Sequence, residues 1–287
     1  MVFESILTPQ IAEKKPWIVF FLGLIFSSVA VVLSNYIFPS DPSLSIVFLT
    51  TLFFIPLFYF TMIYEEEKDL DENVTETTLL KQHSKAVVFF SFLFLGMTLG
   101  FMFWSISSPV TSYFNVNPEL TFRVQANTIA EINPGTGKVI ASMGFFMDIL
   151  VNNLFVLIFC VLFSLVYGAG AIFILTWNAS VIGLALGRYF LRIAAASTGA
   201  AGIVYFRAAT CSFTRYLIHG IPEIAGYFVA GLAGGIISVA IIRHDIGTDK
   251  FEKILIDATI LLIIAVGIII ISALIEVFIT PLIICST

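Results

Sequence analysis

Long apolar runs limit the fold of this chain more than any other feature. Three of them, Trp17–Phe38, Leu44–Tyr64 and Ala86–Ser108, contain no charged residue. A helix needs about 20 apolar residues to cross the hydrocarbon core of a bilayer, and only helices and closed barrels satisfy their backbone hydrogen bonds there. Barrel strands would alternate in hydropathy over about 10 residues, and these runs do not alternate. The sequence therefore predicts an all-α, polytopic transmembrane helical bundle.

The composition agrees with that class. Hydrophobic residues make up 59% of the 287 positions and charged residues 11%, whereas soluble domains average about 45–50% and about 25%.

We divide the chain into an N-terminal transmembrane segment (1–109), an extramembrane loop (110–148) and a C-terminal transmembrane core (149–287). The seven predicted spans are Trp17–Phe38, Leu44–Tyr64, Ala86–Ser108, Ile149–Tyr167, Gly170–Phe190, Leu217–Ile242 and Ile254–Thr280.

The connecting segments give further expectations. We expect the acidic run Glu65–Asp71 to form a solvated face, and His83 receives no role. Residues 120–129 partly alternate in hydropathy, which favours an extended conformation. The segment Arg188–Tyr216 has arginines around an apolar middle and predicts an interfacial or re-entrant helix, with an eighth span as the alternative. Lys and Arg are slightly in excess in the loops on the N-terminal side, so we expect the N-terminus in the cytoplasm of a cell-membrane protein.

Charge and cysteine content exclude several functions. The net charge of −5, with 14 scattered Lys and Arg, argues against a nucleic-acid partner. The three cysteines, Cys160, Cys211 and Cys285, are odd in number and share no C-x-x-C spacing, so we expect neither a disulfide framework nor a zinc knuckle. The expected partners are membrane lipid and other proteins of the membrane.

The few polar residues of the C-terminal spans lie at the span ends. Because consecutive spans run antiparallel, the starts of spans four and six lie at the same membrane face as the ends of spans five and seven. The topology therefore predicts one polar cluster at a common depth. Its members are Asn152, Asn153, Arg188, His219, Glu223 and Glu276.

Small residues continue the helix face that carries His219 and Glu223, which are four positions apart. A stripe of small residues lets membrane helices pack closely, so the pair is expected to face the bundle interior. G-x-x-x-G spacings at 96–100, 183–187 and 231–235 favour a compact bundle and also allow a homodimer. The residues predicted to pack along the His219 face are Gly226, Ala230, Gly231 and Gly234.

Three interpretations of the polar cluster remain open. It could be a hydrogen-bonded group that fixes helix register, or a pathway for protons or ions, as intramembrane carboxylates often are. A metal site would use His219, Glu223 and Glu276, but only three ligands are in view, so we assign no metal and no cofactor. An intramembrane hydrolase would need a nucleophile beside a base; we find none and assign no catalytic residue.

Several of these motifs together resemble the stage II sporulation protein M family of integral membrane proteins. The resemblance covers about residues 148–281, and the N-terminal half looks like archaeal members. Asn178 is followed by Ala179 where the family commonly has glycine, and Gly226 stands where alanine is usual. The matching residues are Asn152, Asn153, Gly168, Gly170, Asn178, His219, Gly220, Glu223, Ala230, Gly231, Gly234, Glu276 and Pro281.

The resemblance implies a membrane scaffold, because the named member assembles cell-wall-degrading enzymes in spore-forming bacteria. No hydrolase domain is recognisable in this sequence. We therefore expect a non-enzymatic scaffold or assembly component of a membrane complex. The alternative is a transporter or permease component in which Glu223 and Glu276 carry protons or ions, with Arg188 or Arg192 as counter-charges.

Overall fold

The computed structural model describes residues 8–69, 76–132, 143–167, 170–243 and 246–283. Within these ranges the chain is helical and contains no strand. The helices are α1 (Pro9–Lys14), α2 (Pro16–Ile37), α3 (Ser43–Asp69), α4 (Glu76–Ile106), α5 (Ser108–Tyr113), α6 (Pro118–Thr121), α7 (Arg123–Ile132), α8 (Met143–Tyr167), α9 (Ala171–Ala196), α10 (Ala201–Ile242) and α11 (Asp249–Leu274), followed by a π-helix (Ile275–Ile279) and a short 3-10 turn (Thr280–Leu282).

Seven of the described helices are long and apolar enough to cross a membrane. They are α2, α3, α4, α8, α9, α10 and the unit formed by α11 with its continuation, and each covers one of the seven predicted spans except for one or two terminal residues in α2, α4 and α9. The predicted all-α polytopic bundle is confirmed. Several helices extend past the apolar run, as α4 does by beginning at Glu76, because a helix can continue into polar sequence beyond the hydrocarbon core.

The segment Arg188–Tyr216 differs from both predictions made for it. Its first residues finish α9, which ends at Ala196, and its last residues belong to α10, which begins at Ala201 and continues for 42 residues. At 1.5 Å per residue this helix is about 63 Å long, twice the thickness of a hydrocarbon core. The described chain therefore has neither a separate re-entrant helix nor an eighth span in this segment.

The connection after α4 is helical, so the extended conformation predicted for 120–129 is wrong. Its buried residues recur with helical spacing, since Phe122 and Gln125 turn the same way towards the bundle. The Gln125 side-chain amide donates to the carbonyl of Ser43 (3.0 Å) and to the hydroxyl of Ser180 (3.3 Å). These bonds connect α7 to the start of α3 and to the middle of α9.

Close contacts at glycine hold the bundle together. A Cβ at Gly96 would collide with the carbonyl of Phe20 in α2, and one at Gly183 would lie 2.7 Å from the carbonyl of Thr98 in α4. A Cβ at Gly231 would lie 2.7 Å from the Cβ of Ala171. Glycines of all three G-x-x-x-G motifs thus pack within the chain, and these contacts are not available to a homodimer.

The centre of the bundle is the second half of α10. Its residues from Ile224 to Ala240 are almost all buried, and α4, α8, α9 and α11 surround them. The Phe228 ring stacks on Phe90 of α4 with a centroid separation of 5.3 Å. The polar residues at the start of this half are consequently held at the end of a packed interior.

Candidate functional site

The structure brings three of the six predicted cluster residues together at one end of the bundle. His219 and Glu223 lie one turn apart on α10, and Glu276 reaches them from the π-helix that follows α11. One ligand atom from each residue lies within 4.8 Å of the others. An imidazole and two carboxylates therefore share one small volume between two helices.

The local backbone places Glu276 at this point. Residues Ile275–Ile279 form a π-helix, and such single turns within helices are frequent at functional sites. The Ser272 hydroxyl donates to the carbonyl of His219 (2.8 Å), which ties the end of α11 to α10. Gly226 allows the close approach, since its missing Cβ would lie 3.0 Å from the side chain of Ile269.

Hydrogen bonds orient two of the three side chains. Thr280 donates its hydroxyl to the carbonyl of Ile275 (3.3 Å), and its Oγ1 lies 3.1 Å from Nδ1 of His219. With the threonine proton directed at Ile275, Nδ1 of His219 is the donor to Oγ1. The Tyr227 hydroxyl donates to Oε1 of Glu223 (2.8 Å). Nε2 of His219 and the second oxygen of Glu223 remain as acceptors.

The predicted asparagines lie on α8, beside the same end of α10. Asn153 is buried, whereas Asn152 is exposed and donates from Nδ2 to Oδ1 of its neighbour (3.3 Å). Among the described residues, Nδ2 of Asn153 has no hydrogen-bond partner. This side chain belongs to a buried stripe on α8 that continues to Ser164, which packs against Gly234.

The arginine near this site is not one that the sequence predicted. Arg188 is exposed on α9 and forms no ion pair within the described part of the chain. Arg215 instead lies one turn before His219 on α10. Its guanidinium donates to the carbonyl of Ile283 (3.3 Å) and lies 5.6 Å from the ring centre of Tyr189. The sequence could have indicated Arg215, because its i, i+4 spacing from His219 places both side chains on the same helix face.

The four residues predicted to pack beside the cluster are all buried in α10. Gly226 faces α11, Gly231 meets the start of α9, and Gly234 lies against Val161 of α8. These small residues bring three helices up to α10. They are Gly226, Ala230, Gly231 and Gly234.

A second polar cluster, which the sequence analysis missed, lies at the opposite end of the bundle. Oε2 of Glu65 is 2.7 Å from Nδ1 of His83, and Nζ of Lys68 lies 2.5 Å from Oε1 of Glu65 and 2.7 Å from Glu13. Burial raises the pKa of Glu13, and Lys68 opposes that rise. The sequence could have indicated this contact, because Glu65 follows the predicted end of span two and His83 precedes the predicted start of span three.

The first two residues of the acidic run depart from the solvated face that we predicted for Glu65–Asp71, whose residues 70 and 71 lie outside the described ranges. Glu65 and Glu66 are fully buried. The Arg243 guanidinium lies 2.6 Å from Glu66 and 3.2 Å from the exposed Glu67. Because α3 continues to Asp69 against its neighbours, the first acidic residues are covered, and cations from other elements neutralise them.

One cysteine also departs from expectation. Cys211 is disulfide-bonded, whereas Cys160 is a free, buried thiol. Cys211 lies in α10 between the arginines 207 and 215, two turns before His219. The disulfide is therefore near the membrane face that carries the His219 cluster.

The comparisons with known proteins give one match. A family model described as stage II sporulation protein M matches residues 86–281, well over half of the chain. This match starts at the third span, earlier than residue 148, where the motifs of the resemblance begin. Comparisons with curated proteins and with solved structures give no match.

Proposed function

We propose, starting from the fact that this chain belongs to the stage II sporulation protein M family, that it is a non-enzymatic scaffold or assembly component of a membrane complex. The observation that carries the proposal is the first part of α10. This helix begins about 24 Å before the predicted start of span six at Leu217. Three large apolar side chains remain exposed there, with exposed fractions of 60%, 56% and 72%: Ile203, Tyr205 and Phe206.

Exposed apolar side chains on a helix that extends beyond its membrane span are typical of a protein–protein contact surface. Two charged side chains, Arg192 and Arg207, are exposed beside them on the same helical hairpin. A rim of charge around an apolar centre is the arrangement that interfaces use. These apolar and charged side chains support the proposal that a protein partner binds at the hairpin formed by α9 and α10.

Site-specific photo-crosslinking in native membranes tests this proposal. A crosslinker at Phe206 should give one reproducible protein adduct, and Phe206→Ala should reduce co-purification of that same partner at least tenfold. The matched control is Phe155, which is 58% exposed on α8 among other apolar side chains that would face lipid. If positions 206 and 155 both give only lipid adducts, the scaffold proposal fails.

A transporter or permease component is the second candidate. The specific observation in its favour is the pair of carboxylates, Glu223 and Glu276, held within 4.8 Å of His219 inside a membrane bundle. Such groups serve as proton carriers in transporters. Proteoliposomes should then show a proton flux that Glu276→Gln abolishes. Equal background fluxes for both proteins would remove this candidate.

We also propose that the protein lies in the cell membrane with its N-terminus in the cytoplasm. The excess of Lys and Arg on that side supports this orientation. The disulfide at Cys211 supports it independently, because disulfides persist outside the reducing cytosol and Cys211 lies at the opposite membrane face.

A further inference from the structure

We propose that His219, Glu223 and Glu276, with Asn153 as a fourth ligand, form a binding site for one divalent transition-metal ion of the zinc class. The proposal is independent of the scaffold role. It rests on the positions of the ligand atoms, on the hydrogen bonds behind them, and on a buried amide nitrogen that has no partner among the described residues.

The first argument is distance. The three ligand atoms lie within 4.8 Å of one another without an ion between them. In the tetrahedral geometry of zinc, ligands bound at about 2.1 Å lie about 3.4 Å apart. The closure of up to roughly 1.4 Å that this geometry requires is within the reach of side-chain rotation, since Glu223 and Glu276 have three rotatable bonds each.

The second argument is the state of the histidine. Because Nδ1 of His219 donates to Oγ1 of Thr280 (3.1 Å), the imidazole has its lone pair on Nε2. A metal-bound histidine almost always donates its other N–H in this way. The Tyr227 hydroxyl plays the same supporting part for Glu223, where it fixes Oε1 (2.8 Å) and leaves Oε2 for the ion.

The third argument concerns the position of Asn153 as the fourth ligand. Helices α8 and α10 run in the same direction, and Ser164 packs against Gly234. Asn153 precedes Ser164 by eleven residues and Glu223 precedes Gly234 by eleven, so the two side chains lie at the same level. Asn153 is only 4% exposed, and its Nδ2 has no partner among the described residues. Oδ1 of Asn153 accepts from Nδ2 of Asn152 (3.3 Å), and binding an ion through Oδ1 would exchange this long hydrogen bond for a metal contact.

The fourth argument is charge. Within the described part of the chain, no Lys or Arg forms an ion pair with Glu223 or Glu276. Arg215, the nearest cation along α10, is directed to Ile283 and Tyr189. Two buried carboxyl groups are neutralised either by protons or by a cation, and one divalent ion compensates both charges. An imidazole among the ligands favours zinc-like ions over magnesium and calcium.

The test is zinc binding by the purified full-length protein in detergent. After treatment with a chelator and reloading with zinc, the wild type should retain about one zinc per chain by mass spectrometry. Glu223→Gln and Glu276→Gln should each retain less than a tenth of that. Thr280→Val, which keeps every ligand, should weaken zinc binding 10- to 100-fold.

Glu252→Gln is the matched control, because Glu252 is an exposed carboxylate in the first turn of α11. Its zinc content should equal that of the wild type. Should the ligand variants fail to fold, cobalt bound to the wild type provides a second measurement, with visible absorption bands that zinc displaces. The proposal is overturned if the wild type retains no zinc, or if Glu276→Gln retains as much as the wild type.

Discussion

A buried carboxylate connects α3 to α4 in this bundle. At one end, Glu65 is fully buried and contacts both His83 and Lys68. Removing one partner from a buried ion pair leaves the other charge uncompensated, and this costs far more than losing a pair at the surface. The contribution of the acidic run to the free energy of unfolding therefore comes mainly from its first, buried residues.

We predict that Glu65→Ala lowers the free energy of unfolding by about 3–5 kcal/mol. The reason is that His83 would lose its carboxylate partner inside the protein, while Lys68 would keep only its contact with Glu13. Thermal unfolding in detergent, followed by circular dichroism, measures the change. Glu67→Ala is the control, since its side chain is 57% exposed and an exposed pair contributes about 0–1 kcal/mol. Equal losses for both variants would contradict the prediction.

Helix contacts show what the sequence could and could not predict. The apolar runs locate all seven spans, and antiparallel topology is enough to place His219, Glu223 and Glu276 at one depth. The lateral neighbours of each helix are not predictable in this way, because packing between membrane helices depends on shape rather than on hydrophobicity. The sequence also did not predict that α10 begins at Ala201, because arginines in a helix cannot be distinguished from arginines in a loop by residue type alone.

Glycine substitutions test these helix contacts. Gly96→Ala should destabilise the protein by at least about 1–3 kcal/mol, because its new methyl group would collide with the backbone of α2 at Phe20. Gly267→Ala, in α11, should be neutral or stabilising by up to about 1 kcal/mol, since a Cβ there meets nothing within 4 Å. Their melting temperatures should move in opposite directions, and equal decreases would show that the α2–α4 contact is not special.

The whole molecule has two polar ends on opposite sides of an apolar middle, and its orientation is open to experiment. Tyr36, in the last turn of α2, is 86% exposed, and Ile246, in the turn after α10, is 62% exposed. With a cytoplasmic N-terminus, an impermeant maleimide should label Tyr36→Cys in intact cells and label Ile246→Cys only after lysis. The reverse pattern would invert the orientation.

Helix α10 joins the two ends without interruption. Between Glu223 and Arg243 it contains no proline, and these residues are about 30 Å apart along the axis. A twist of this rod about its own length cannot be confined to one surface of the bilayer. A rotation of the whole helix at Glu223 would also move Arg243, whose guanidinium contacts Glu66, so the two sides of the membrane are mechanically connected through a single helix.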